Sequence, residues 1–473
     1  MGDTIDTSAL AGAFKGMVLT RDDRGYDEAR TVWNAMVDRR PAVIARCVNT
    51  EDVVTALRFG RANTLEMGIR CGGHSIVGHP VVEDGLMIDL SLMNTVQVDP
   101  DSRRARVQGG ALLGALDREA QRYGLATTAG NVSHTGVGGL TLAGGMGWLA
   151  RQFGLSCDNV VSCEVVTADG AVLRVSESEH PDLYWGLRGG GGNFGIVTEF
   201  EFRLHPMRGQ ALAVDLFFPL EAADAALQRW RDLLKTAPRE ATLTAWTGTA
   251  DEWSFLPPEF HGQRIASIGY VWVGDPDEGR RFLPTVRGDG LPIAERVREM
   301  TYVELQRMDD TTSDVHGVRR YWKGHYLHEL SDAALHAFLT RGINGPATDE
   351  DSAQTPDAEM HAEMQCYGGA IADVADDETA FSHRHALVEC VISTRWTDPA
   401  EDTKRIKIAR QYAKSLEPFA SGGYVHAMAD EGQAGTQRAY SRDKLARLTA
   451  LKDQYDPENV FHLNQNIPPS SQY

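Results

Sequence analysis

Several kinds of signal are missing from this chain of 473 residues. The N-terminus, Met1-Gly2-Asp3-Thr4-Ile5-Asp6, is acidic and lacks the basic and apolar regions of a secretory leader. No apolar run is long enough to span a bilayer, so a cytoplasmic protein without membrane contact is expected. Cys47, Cys71, Cys157, Cys163, Cys366 and Cys390 show no C-x-x-C spacing, which excludes a zinc ribbon or thioredoxin-like site and favours free thiols. Basic runs are absent, and a net charge of -19 would repel a nucleic-acid backbone. There is no G-K-[S/T], hence no P-loop. Internal repeats and low-complexity tracts are absent too.

What is present is an ordinary globular balance, 42% hydrophobic and 24% charged. The length predicts about two to three domain-sized units. Glycine is gathered into three stretches. The first, Arg70-Cys71-Gly72-Gly73-His74-Ser75-Ile76-Val77-Gly78-His79, follows an apolar βα pattern. Its glycines let the backbone turn with N–H groups close to a bound group, Arg70 could neutralise a phosphate, and His74 offers a ring nitrogen. A tight turn carrying a surface histidine is the plain alternative. The second stretch runs from Gly130 to Trp148 and holds seven glycines, too many for a helix interior on propensity alone. Val137, Leu140, Leu142 and Trp148 make it too apolar for a linker, which leaves close backbone approach to a ligand or, as the alternative, a buried glycine-rich helix pack. The third, Gly189 to Gly195, contains G-x-G-x-x-G, but a helix (Pro181–Leu187) precedes it and a strand follows, the reverse of a Rossmann fingerprint.

Around these loops the pattern predicts an opening helix over residues 20–40, a strand at 41–47 and a helix capped by Asn49. Short strands are expected at 68–70, 86–90, 95–98 and 104–108, then a helix through Leu112 to Tyr123. Beyond His205-Pro206 strands and helices alternate without glycine loops, which suggests an antiparallel α+β unit. Strands are expected at 211–218, 242–247, 264–273, 359–371 and 387–396, helices after Ser331 and Asp398, and a loop over 347–357.

The motif Arg70-x-Gly72-Gly73-His74-Ser75-x-x-Gly78 resembles the pyrophosphate loop of the vanillyl-alcohol-oxidase/PCMH superfamily of FAD proteins, in particular its berberine-bridge-enzyme-like branch. Cys71 stands where a glycine is more usual. The second stretch, continued by Phe153-Gly154-Leu155-Ser156-Cys157-Asp158-Asn159, matches the family's second flavin loop, and Gly190–Thr198 matches the segment that closes the FAD domain. Tyr455–Phe461 and Leu463–Ile467 resemble the C-terminal signature, which folds back onto that domain.

The resemblance implies an α+β fold: a PCMH-type two-part FAD-binding domain over residues 1–207, an antiparallel-sheet substrate domain with helices on one face over 208–417, and a returning segment over 418–473. It implies that His74 bonds covalently to the 8α-methyl of FAD. Doubly tethered members carry a cysteine at the position of Val132, next to Ser133; a thioether needs sulfur, so a single tether is implied. Further cofactor contacts fall on Arg70, Gly72, Gly73, Ser75, Gly78, His79, Gly109, Gly130, Ser133, His134, Thr135, Gly138, Gly139, Gly145, Trp148, Asn159, Gly195, Val197, Tyr424, Asn464 and Asn466.

A flavin oxidase needs a base for the substrate proton and a path for hydride to N5. Glu359, His361, Glu363, Gln365 and Tyr367 alternate with apolar residues, so one strand face is polar. Either it faces solvent or it lines the substrate cavity, with Glu363 as base or charge stabiliser. A metal held by Glu359, His361 and Glu363 lacks a recognised motif, and no metal is expected. Tyr424 matches a family tyrosine that approaches flavin and substrate, with His426 in place of the usual asparagine, and Thr135 would bring a hydroxyl near the ring. His383–His385 are expected in solvent. The implied activity is a covalent-FAD oxidoreductase reoxidised by O₂. Its small-molecule substrate would be a secondary metabolite, because bacterial flavoproteins acting on enterocin-type polyketides look similar around Glu363. A sugar oxidase stacking its substrate on Trp246, Trp253 and Trp272 is the alternative, and a non-catalytic flavin carrier the rival from another class. A homodimer stays open.

Overall fold

The computed structural model describes residues 5–310, 316–341, 360–428 and 431–472. It is built on three main sheets. In the first, β1 (Met17–Leu19), β2 (Val43–Arg46), β3 (Met67–Arg70) and β4 (Leu86–Asp89) lie in the order β1-β2-β4-β3. β4 runs parallel to both β2 and β3, so the helix Thr50–Ala62 makes the crossover. Asn49 caps that helix as expected, its side chain accepting from the Asp52 N–H.

The second sheet is antiparallel, with β5 (Val96–Asp99), β6 (Arg104–Gln108), β8 (Val160–Val166), β9 (Val172–Ser176) and β10 (Ile196–Arg203) ordered β5-β6-β10-β8-β9. A small ladder pairs β7 (Leu125–Ala126) with β11 (His205–Pro206).

The third sheet is the roof of the site. It comprises β12 (Gln210–Pro219), β13 (Ala241–Thr249), β14 (Arg264–Val273), β15 (Ala294–Thr301), β16 (Arg319–Leu327), β17 (Met360–Cys366) and β18 (Val388–Trp396). The order is β15-β12-β14-β13-β17-β18-β16, antiparallel throughout. One face is apolar and packs Leu216, Leu243, Ile268, Met364 and Ile392 against Trp230, Phe338 and Tyr412 of three covering helices. Period-two alternation then sends the polar residues to the opposite face.

Four expectations need correction. The helix expected over 20–40 shrinks to Tyr26–Arg30, because Trp33 and Asn34 leave helical geometry to join the site. The strand expected to reach residue 371 ends at Cys366: Gly368 and Gly369 have φ of +83° and +57° and start the short helix Ala370–Asp373. Part of the second glycine stretch is helical after all, Val137–Leu142, where packing of buried Val137 and Leu142 outweighs propensity. Trp272 belongs to the apolar face and is buried among the helices, so it lines no groove. Glu359 and the loop at 347–357 lie outside the described residues. Among the described residues no helix is long and apolar enough to cross a membrane.

Candidate active site

The first glycine loop leaves β3 and is fixed at once. The Arg70 guanidinium donates to the Ala29 carbonyl, and the Trp33 N–H donates to the Gly73 carbonyl at 3.1 Å. A Cβ built on Gly72 would stand 2.4 Å from the Gly136 nitrogen, and one on Gly136 would stand 2.4 Å from the Gly72 nitrogen. The two loops therefore touch backbone to backbone, and only glycine fits at the crossing.

This contact delivers His74 to the second loop. Its ring stacks on Trp33, centroids 4.5 Å apart and planes 15° apart, while the Arg320 guanidinium lies 4.1 Å from the Trp33 ring centroid. His74 Nε2 is 2.7 Å from His134 Nδ1. Asn34 ties this corner to the roof, donating to the carbonyls of Ile76 (2.6 Å) and Arg320 (3.0 Å) and accepting from the Arg320 N–H (2.9 Å). Burial, reinforced by His134, His316 and Arg320, pushes the His74 pKa well below the ordinary imidazole value. His74 is thus held as a neutral ring.

The second loop is pinned by its own backbone. Leu113 and Gly114 N–H groups donate to the carbonyls of Thr135 (2.9 Å) and Ser133 (2.7 Å), and Ser133 Oγ donates to Asp310 at 2.8 Å. Gly139 faces open space, and Gly145 takes a φ of +85° that carries the chain past Ser156. Gly130 and Gly138 pack under the loop, Gly138 against the Gly109 carbonyl. Gly195 passes Val165 and Val166, and the Val197 carbonyl lies under Gly109. Two expected contacts face elsewhere. Trp148 sits in a separate apolar cluster with Met207, and the Asn159 amide is used by Phe153 and Leu155 (3.0 and 2.9 Å), its oxygen by His205 (2.7 Å). Gly192 also faces open space, and around it Ser75, His79, Asn193, His426 and Asn464 form a cleft. His79 donates its N–H to Ser75 Oγ at 3.3 Å. Nearby, Gly73 and Gly78 take φ of +70° and +74°.

The buried side-chain oxygens of Asn464 and Asn466 and the Arg70 Nε have no hydrogen-bond partner among the described residues. Orphaned polar atoms beside a glycine-lined space fit a phosphate- and amide-bearing ligand such as FAD.

On the roof, register places Trp246, Glu363 and Val391 in one row and Thr244, Gln365, Glu389 and Tyr326 in the next. Gln365 accepts from Asn131 of the second loop at 2.9 Å, so this face meets the glycine floor. Glu363 is exposed within the row. Glu389 accepts from Tyr367 Oη at 3.0 Å, and Tyr367 Oη lies 3.0 Å from Tyr326 Oη. Burial pushes the Glu389 carboxyl up to about 7 against the opposing Tyr367 hydrogen bond, and the two phenols rise well above the tyrosine range. Half-buried Tyr424 packs beside this trio, its phenol also raised by burial, while His426 Nε2 donates to the Gly139 carbonyl at 2.8 Å. His383 is not simply in solvent: it bonds the Arg438 carbonyl at 3.0 Å and stacks on Tyr326, whereas His385 is exposed.

A model of the FAD binding domain matches residues 41–176, and one described as berberine and berberine like matches 427–468. The FAD-linked oxidoreductase YgaK of Bacillus subtilis is 33% identical over 463 residues, 96% of this chain and 97% of that protein. The chain belongs to the berberine-bridge-like FAD-linked oxidoreductases. The crystal structure of 6-hydroxy-D-nicotine oxidase from Arthrobacter nicotinovorans superposes with a TM-score of 0.84, 28% identity and coverage of 97% and 98% of the two chains. Glucooligosaccharide oxidase from Acremonium strictum, described with a 6-S-cysteinyl, 8α-N1-histidyl FAD, gives 0.83, 25%, 97% and 98%.

Within this berberine-bridge-like architecture several residues escaped sequence reasoning. Trp33, Arg320 and His316 carry no local motif. Glu389 did carry a signal: it is a lone carboxylate in the apolar run Val388-Glu389-Cys390-Val391-Ile392.

Proposed function

We propose that this enzyme oxidises a small organic substrate with FAD held through His74 alone and passes the electrons to O₂. The observation that carries the reading is the neutral His74 ring, clamped between Trp33 and His134 beside the glycine floor. Val132 brings no sulfur, and burial raises the Cys71 thiol, which accepts from the Gly138 N–H at 3.4 Å. Residues 1–207 and 418–473 hold the cofactor in this reading, and 208–417 supply the roof.

FAD, when bound, supplies the two-electron acceptor. The chain's residues bind the substrate under the roof and move its proton. Glu363, exposed in its row, takes the proton or balances charge, with Tyr424 and Thr135 lining the approach. The raised Glu389 carboxyl, bonded to Tyr367, is a second acceptor poised near neutral pH. The substrate class in this reading is an aromatic, polyketide-type metabolite, with half-buried Tyr424 as its ring partner. A second reading, oligosaccharide oxidation, is favoured by the tilted pair Trp246 and Trp253, 5.8 Å apart.

The test is the intact mass under denaturing conditions, with His74→Ala beside it. The expected result is an increment of one FAD that vanishes in the variant; a bare polypeptide from a yellow protein would refute the tether. O₂ uptake with phenolic polyketides against gluco- and cello-oligosaccharides separates the two substrate classes. Loss of uptake in Glu363→Gln with flavin retained would exclude a mere carrier.

A further inference from the structure

His74 has a partner that substrate oxidation does not use. His74 Nε2 and His134 Nδ1 lie 2.7 Å apart, with ring centroids at 4.7 Å and planes tilted by 41°. Two ring nitrogens at this distance share one proton, one donating and the other accepting. When His74 Nε2 carries the proton, its Nδ1 presents a lone pair. Bond formation at Nδ1 would then place a positive charge on the ring and make the Nε2 proton acidic. The Arg320 guanidinium, seated on Trp33, opposes that charge and favours its departure.

His134 is held for the task. The carbonyls on either side of it, Ser133 and Thr135, are both bonded to the helix at Leu113–Gln121. Exposed His316 lies beyond it, with centroids 5.1 Å apart, on the way to solvent. His74, His134 and His316 could suggest a metal site. The 2.7 Å contact is shorter than the roughly 3.3 Å that separates two nitrogens on a tetrahedral zinc, and it reads as a hydrogen bond.

We propose that His134 is the proton acceptor that enables His74 to bond to FAD, with His316 passing the proton to solvent. The proposal rests on the single-tether reading above. In the step, the C8α–H bond breaks as a proton, the His74 Nδ1–C8α bond forms, and two electrons enter the flavin ring. The His74 Nε2 proton moves to His134. O₂ then takes the two electrons and two protons as hydrogen peroxide, which restores the oxidised cofactor.

The test compares the purified wild type, His134→Ala and His134→Gln as isolated and during incubation with FAD in air. Total flavin is read by absorbance after gel filtration and bonded flavin by fluorescence on a denaturing gel. Gln keeps a hydrogen-bonding side chain but cannot take up the proton. Both variants should bind FAD, yet bond it at least about a hundredfold more slowly, the weak end of general-base effects. Added imidazole should restore the rate in His134→Ala. Wild-type bonding rates in both variants would overturn the role of His134 and leave the tether standing. Absence of bonded flavin in the wild type would instead refute the tether itself. Failure of both variants to bind any FAD would make His134 structural and also overturn the proposal.

Discussion

A buried ion pair in the C-terminal segment ties that segment to the third glycine stretch at Asn193, and breaking it should be costly. Lys452 Nζ donates to Asp456 Oδ2 at 2.6 Å and to the carbonyls of Asn193 and Phe461, both at 2.9 Å. These are all three of its protons. Asp456 also accepts from the N–H groups of Val460 (2.7 Å) and Phe461 (2.8 Å), and both side chains have 0% exposure. Asp456→Asn removes the negative charge and puts an amide donor where only acceptors fit. The Lys452 charge is then buried uncompensated, a loss of about 3–5 kcal/mol. A chain of 473 residues has an unfolding entropy of about 1 kcal/mol/K, so the melting temperature should fall by about 3–5 °C. Asn193 also takes the Ile467 N–H at 3.0 Å, so loosening should reach the segment carrying Asn464 and Asn466 and weaken FAD retention. Differential scanning calorimetry and flavin release on dilution measure the two effects. Lys452→Met with Asp456→Asn should cost less than Asp456→Asn alone, since no charge remains buried. A loss under about 1 kcal/mol in the single variant, or a larger loss in the double, would refute the reasoning.

Two further substitutions test the roof and the corner at His74. Glu389 sits at about 7 against its ordinary 4.5, so between those values the folded chain keeps a proton that the unfolded chain has released. Stability must then fall as pH rises through that window, and Glu389→Gln should flatten the slope and raise the melting temperature at pH 8. An unchanged slope in a pH series of melting curves would sink this account. Asn34→Ala strips buried partners from Ile76 and Arg320 and should cost about 3 kcal/mol in urea unfolding, where a loss no greater than that of an exposed Asn94→Ala would contradict it.

Much of the molecule was legible from its order of residues. Asn49, Ser331 and Asp398 cap their elements as their local chemistry requires. The alternation at 360–366 placed Glu363 and Gln365 on one face before any strand pairing was known. Glycine at 72 and 136 announced a close approach without saying that each was the other's neighbour. Such features are local, because turn sterics, capping and side-chain alternation act within a few residues. Tertiary structure decided the rest. It unwound the opening helix to put Trp33 on His74, ended β17 at Cys366, and drew Trp272 into the core. It joined His74 to His134 across 60 residues and brought Glu389 beside Tyr367 and Tyr326 from separate strands. Those partners share no periodicity with one another; they meet because burying the apolar face of one sheet and the backbone of two glycine loops leaves their side chains a common space.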